Sequence, residues 1–211
     1  VWVPVLDGCD CQGALKAAAA RARFPFLTAN IVDAATGKPV HWPNVAPSAL
    51  IEIAGVRIGL VGTITETGLR QTLAAHVGGL ATLPLAPTIA AEARELRERG
   101  AELVVLATHA GGWCGETKNP RDLSSCDGGA EIFQLARDLP PGTLQAIVAG
   151  HTHGTVAHFV NDVPIISVAN FGGQFGRMDL TFDTARHAVA KGHIHEPHRA
   201  RARIAPPNVR E

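Results

Sequence analysis

The chain has 211 residues, 46% of them apolar, which is enough to bury the core of an ordinary domain and excludes a miniprotein held together only by disulfides. Nineteen basic side chains balance nineteen acidic ones, leaving no basic field for polymeric nucleic acid and no acidic excess of a disordered tail. The apolar runs are short and broken by Gly, Pro or charge, far below the roughly 18 residues of a membrane span, and no pair of separated Cys-x-x-Cys knuckles signals a zinc ribbon.

Ala14 to Arg23 is Ala-rich with Lys and Arg inserted, which predicts a helix stopped by Pro25, followed by a buried strand over Phe26 to Ile31. Gly37-Lys38-Pro39 predicts a turn. Leu50 to Ile53 and Val56 to Gly62, joined by Ala54-Gly55, predict a hairpin. From Thr88 to Arg99, Ile89, Ala90, Ala93 and Leu96 recur at helical spacing against a charged face, and Gly100 closes the helix. Leu103 to Ala107 is a continuous apolar run of the kind that forms a strand covered on both faces, and it ends at Thr108-His109-Ala110-Gly111-Gly112.

The same order of events then recurs. A helix is predicted over Ala130 to Leu139, stopped by Pro140-Pro141, and a strand over Leu144 to Ala149 ends at Gly150-His151-Thr152-His153. Strands over Thr155 to Val160, Val163 to Val168 and Arg177 to Phe182 follow, separated by Asn161-Asp162 and by Asn170-Phe171-Gly172-Gly173. We divide the chain into a domain over 1–196 and a linker or disordered tail over 197–211, rich in Pro and Arg.

Open α/β sheets place their ligand-binding and catalytic groups beyond the carboxyl ends of the strands, where His109 and the His151/His153 pair both stand. Imidazoles delivered from two strand ends to one rim point to a metal centre, against the plainer possibility of hydrogen-bonded loop histidines. His193 and His195 would share one face of a strand, but as a metal site they are weaker candidates than the rim histidines. Cys114 and Cys126 flank one loop; spacing alone leaves a disulfide, worth about 3 kcal/mol, and two free thiols equally open. Cys9 and Cys11 are too close to pair comfortably with each other.

Thr108-His109-Ala110-Gly111-Gly112, Asp122 to Asp127 with Glu131-Ile132, Ile147 to His153, and Asn170-Phe171-Gly172 with Phe175-Gly176-Arg177 together resemble the second half of the calcineurin-like metallophosphoesterase domain. More narrowly, they resemble bacterial periplasmic 5'-nucleotidases and 2',3'-cyclic nucleotide phosphodiesterases. Phe24 to Ile31 and Ile58 to Gly62 extend the likeness, which spans about residues 13 to 182.

The resemblance implies an α/β fold, a four-layer αββα sandwich, incomplete at its N-terminus. It implies that His109, His151 and His153 are metal ligands, that Asn170 and Gly172 lie in a substrate-binding loop, and that Cys114 and Cys126 are bridged, as in exported enzymes. Two divalent ions (Zn, Mn, Fe or Co) would activate a hydroxide for hydrolysis of a small phosphate ester or nucleotide. The implied location is periplasmic or secreted, with a further C-terminal nucleotide-binding domain missing.

The family's Asp-x-His, Gly-Asp and Gly-Asn-His-Glu blocks are absent from these residues, so the catalytic residues are expected upstream of Val1. Two alternatives follow: a truncated, catalytically inactive relative that binds at most one metal, and a non-enzymatic binding or export-associated module.

Overall fold

The computed structural model describes residues 12–200. The Ala-rich segment is helical as α1 (Gly13–Arg21). The strand predicted over Phe26 to Ile31 is two short ones, β1 (Phe26–Leu27) and β2 (Ile31–Asp33). Between them the fully buried Asn30 accepts from the Ile64 N–H at 2.9 Å and donates to the Ile64 carbonyl at 2.7 Å, which breaks the run. Then come β3 (Val45–Ala46) and the predicted hairpin, β4 (Ser48–Ile53) and β5 (Val56–Ile64). Ala54 and Gly55, both at positive φ (52° and 81°), make its turn, and the second favours glycine.

A 3-10 turn (Gly68–Gln71), α2 (Ala74–Val77) and β6 (Leu80–Thr82) lead into α3 (Leu85–Glu98) and β7 (Leu103–His109). After a long loop come α4 (Glu131–Asp138), β8 (Ala146–Ala149), β9 (Val156–Val160) and β10 (Val163–Ser167). The chain then forms β11 (Gln174–Phe175), β12 (Met178–Asp183), β13 (Ala188–Ile194) and β14 (His198–Arg199). β14 falls in the stretch read as a linker and pairs antiparallel with β11.

The central sheet has six strands in the order β4-β5-β7-β8-β10-β9; β5, β7, β8 and β10 run parallel, and antiparallel β4 and β9 form its edges. Helices α3 and α4 pack on one face. Ile89, Leu96, Leu106, Ile132, Phe133 and Ile147, all fully buried, form this core, each contributing about 1.5–3 kcal/mol. Because strand side chains alternate, Gly59 faces α3, where a Cβ would meet Leu96, while Gly62 faces the other side, where a Cβ would lie 2.3 Å from the Leu27 Cβ. The absent side chain at Gly62 is what lets β1 cross the sheet.

On that second face the hairpin β12–β13 covers β10, with Ile194 and Met178 against Ile166 and Ala157. The result is an α/β arrangement of mixed sheets flanked by helices, as a metallophosphoesterase sandwich requires. Among the described residues no helix is long and apolar enough to cross a membrane.

Candidate metal centre

Parallel register brings the ends of β7 and β8 side by side, Thr108 opposite Ala149, so that His109 and the turn after β8 share one rim. That turn is tightly built. His151 and His153 both adopt the left-handed region, at φ 89° and 56°, which costs roughly 1–3 kcal/mol per non-glycine residue and is tolerated where surroundings enforce it. The enforcement is visible: the Thr152 hydroxyl donates to the Gly112 carbonyl at 2.9 Å, and a Cβ on Gly154 would lie 2.5 Å from both the Gly112 oxygen and the Trp113 Cβ.

The outcome is a pair. His151 Nδ1 and His109 Nε2 are 3.0 Å apart, with ring centroids at 4.7 Å. Two nitrogens bound to one zinc at 2.0–2.1 Å would be about 3.3 Å apart in a tetrahedron, so this pair fits a single ion with a shift of a few tenths of an ångström. Burial, then the neighbouring His151 and His153, push the His109 pKa below the ordinary imidazole value, keeping its ring neutral and ligand-ready. His153 turns elsewhere: its Nδ1 accepts from the Asn170 amide at 3.2 Å, and the exposed Phe171 ring stands 6.2 Å away. Gly172, at φ +66°, continues that loop.

Glu131, of the Glu131-Ile132 stretch, lies near enough for its charge to act on His109. It begins α4, and its Oε1 receives the Glu66 N–H at 3.4 Å, while Glu66 Oε1 in turn accepts the Leu85 N–H at the start of α3. A helix-start carboxylate leaves no signal in sequence that separates capping from site duty.

The expectation of two divalent ions, and with it hydrolysis by a dinuclear metal-activated hydroxide, is not met. Among the described residues one group of three His, Cys, Asp or Glu brings its ligand atoms within 4.8 Å of one another, and it is Cys114, Cys126 and His158, not the rim histidines. Cys114 and Cys126 are joined in a disulfide, S–S 2.06 Å, as the resemblance implied, so both sulfurs are already spent. Two dications need bridging and flanking anions to hold them ~3.5–4 Å apart, and among the described residues no carboxylate joins the rim histidines in such a cluster. Cys9 and Cys11 lie outside the described residues.

No protein-family model matches the sequence. The chain is 27% identical over 189 residues to the cell wall protein Lmo0130 of Listeria monocytogenes, covering 84% of this chain and 24% of that protein. It is 30% identical over 139 residues to the 5'-nucleotidase of Vibrio cholerae, covering 64% of this chain and 23% of that enzyme. Its fold superposes on the 5'-nucleotidase precursor of Thermus thermophilus with a TM-score of 0.65 at 21% identity, over 89% of this chain and 36% of that one. The chain has the calcineurin-like metallophosphoesterase fold of the bacterial 5'-nucleotidase and 2',3'-cyclic-nucleotide phosphodiesterase family over most of its length. It spans about a quarter of the length of these curated relatives.

Proposed function

We propose that this chain forms a catalytically inactive, histidine-bearing part of a metallophosphoesterase fold whose rim, with the disulfide intact, holds at most one divalent ion. The single observation that carries this is the rim itself: His109 and His151 stand 3.0 Å apart, whereas the three rim histidines do not close into a cluster. His109 and His151 are the principal ligands, and His153 joins them only if it leaves Asn170. When bound, the ion supplies a Lewis acid that attracts phosphate oxygens. The chain's own residues present it: Thr152 anchors the turn, and Asn170 and Gly172 border it as the loop that meets a small phosphate ester or nucleotide. That molecule is a ligand here rather than a substrate to be turned over. The disulfide supports a periplasmic or secreted setting, since such bridges persist in oxidising compartments.

The test is metal stoichiometry and turnover of the disulfide-intact chain. Dialysis against Zn²⁺ or Mn²⁺ is expected to leave no more than one equivalent, abolished in His151→Ala, with no hydrolysis of a chromogenic phosphodiester. Two equivalents together with turnover would overturn the proposal.

A further inference from the structure

The loop between β7 and α4 carries a second set of soft ligands that the rim does not use. Cys114 and Cys126 face each other across a short antiparallel bridge, flanked by the Gly115 N–H to Ser125 carbonyl bond at 3.0 Å and the Asp127 N–H to Trp113 carbonyl bond at 3.1 Å. Cys114 is 7% exposed. A ring nitrogen of His158, on β9 and 1% exposed, lies within 4.8 Å of both sulfurs. His158 Nδ1 accepts the Ala157 N–H at 3.2 Å, and Asp122 on the loop is near enough for its charge to act on the ring.

We propose that Cys114, Cys126 and His158 form a redox-gated binding site for a borderline-soft divalent ion, zinc above all, closed as the disulfide and open once it is reduced. Three features support it. Two thiolates cancel the charge of one dication, so the complex is neutral in a place where an unpaired charge would be costly. Two sulfurs and one imidazole are the donor set that zinc prefers, with water or Asp122 left for the fourth position. The bridge geometry also holds the two cysteines together after reduction, because four neighbouring backbone groups rather than the sulfurs keep the strands paired.

In the gating step the sulfur–sulfur bond breaks. A dithiol supplies two electrons and two protons and itself becomes a disulfide; the sulfurs separate to roughly 3.8 Å, and both protons are released when the thiolates bind the ion. The chain would thus carry a metal on this loop in a reducing compartment and a bridge in an oxidising one.

Cobalt(II) is the probe, because thiolate ligation gives it a charge-transfer band that imidazole ligation does not. The full chain is used with Cys9→Ser and Cys11→Ser, which removes the other thiols, and with His109→Ala and His151→Ala, which removes the rim pair. After reduction with dithiothreitol and anaerobic desalting, about one equivalent of cobalt with a thiolate band is expected, and none in the same protein left oxidised. Adding Cys126→Ser or His158→Ala should each abolish the band; the cysteine variant keeps the test sound if the buried histidine variant does not fold. No uptake by the reduced chain, uptake without a thiolate band, or a band that persists in either variant overturns the assignment. Because the rim pair is absent from this background, the outcome is independent of whether the rim holds an ion.

Discussion

His109 ends strand β7, His151 and His153 sit on the turn beyond β8, and their partners are another imidazole and an amide. The histidines of the β12–β13 region are held differently: His187 Nδ1 meets Glu102 Oε1 at 2.7 Å, and His195 Nε2 meets Asp179 Oδ2 at 2.7 Å. Each of those carboxylates is committed a second time, Glu102 to the Arg57 N–H at 2.9 Å and Asp179 to Arg177 Nε and Nη2 at 2.8 and 3.0 Å. Positive φ does not separate the groups, since His187 at 50° shares it with His151 and His153. What separates them is the acid. An imidazole bonded to a carboxylate that other groups already hold is a tie between elements, whereas rings that meet one another and no carboxylate have ring nitrogens to offer an ion.

The strongest way to break this comparison is to disturb the platform under the rim. In Gly154→Ala the new Cβ would collide at 2.5 Å with backbone oxygen of Gly112 and with Trp113, neither of which can swing away, so a loss of about 1–3 kcal/mol or more is expected in urea denaturation. Gly192→Ala on β13 is the control: its Cβ would meet only side-chain atoms at ordinary contact distance, the Phe159 ring at 3.4 Å and Leu180 Cδ2 at 3.7 Å, and the loss should be well under that of Gly154→Ala. Equal losses would mean that the rim is no more tightly built than the hairpin.

Next in size is the response to metal. On adding Mn²⁺, the ring-proton NMR signals of His109 and His151 should broaden at the lowest concentrations, and those of His187 and His195 last. Broadening of His195 before His151 would reverse the roles assigned to the two groups.

Much of the fold was readable because the helices and strands announce themselves by period: α3 by Ile89, Ala93 and Leu96, β7 by its unbroken apolar run, and the β4–β5 turn by Ala54-Gly55. The split between β1 and β2 was not readable, because it depends on Asn30 bonding Ile64, a partner 34 residues away. In the same way β14 contains no apolar residue and exists only because β11 offers it an edge. At the site, the placing of His109 and His151 on one rim follows from the helix-then-strand order. Their approach to 3.0 Å, the turning of His153 to Asn170 and the position of His158 under the disulfide are products of turns and of β9 packing, which no local pattern encodes. The two-metal expectation failed for this reason: a family resemblance carries over residue types, whereas convergence is a property of the assembled rim.

A smaller effect tests the carboxylate side of the comparison. Hydrogen bonds from Arg177 and then from His195 hold the Asp179 carboxyl down at about 2, against 3.8 for a free aspartate. Between these values the unfolded chain takes up the proton that the folded one refuses. The stabilisation from Asp179 is therefore complete above about pH 4 and disappears as pH falls through about 2. Thermal melts of the wild type and Asp179→Asn should differ at pH 5 to 6 and converge toward pH 2, and a difference that stays constant or grows on acidification would remove Asp179 as the anchor of His195.

The smallest expected effect is that of His187→Ala. Its ring is 71% exposed and joins the hairpin turn to Glu102 just before β7, so its loss should hardly move the global midpoint. It should be felt locally: with the tie cut, hydrogen exchange at Val189 to Lys191 is expected to quicken, while amides of β7 and β8 beneath the rim keep their wild-type rates. Glu102→Gln should give a milder version of the same pattern, because the amide oxygen can still accept the Arg57 N–H. If instead exchange at His109 and His151 changes along with the hairpin, the two regions are coupled through the sheet, and the histidines held by carboxylates serve the rim as well as their own hairpin.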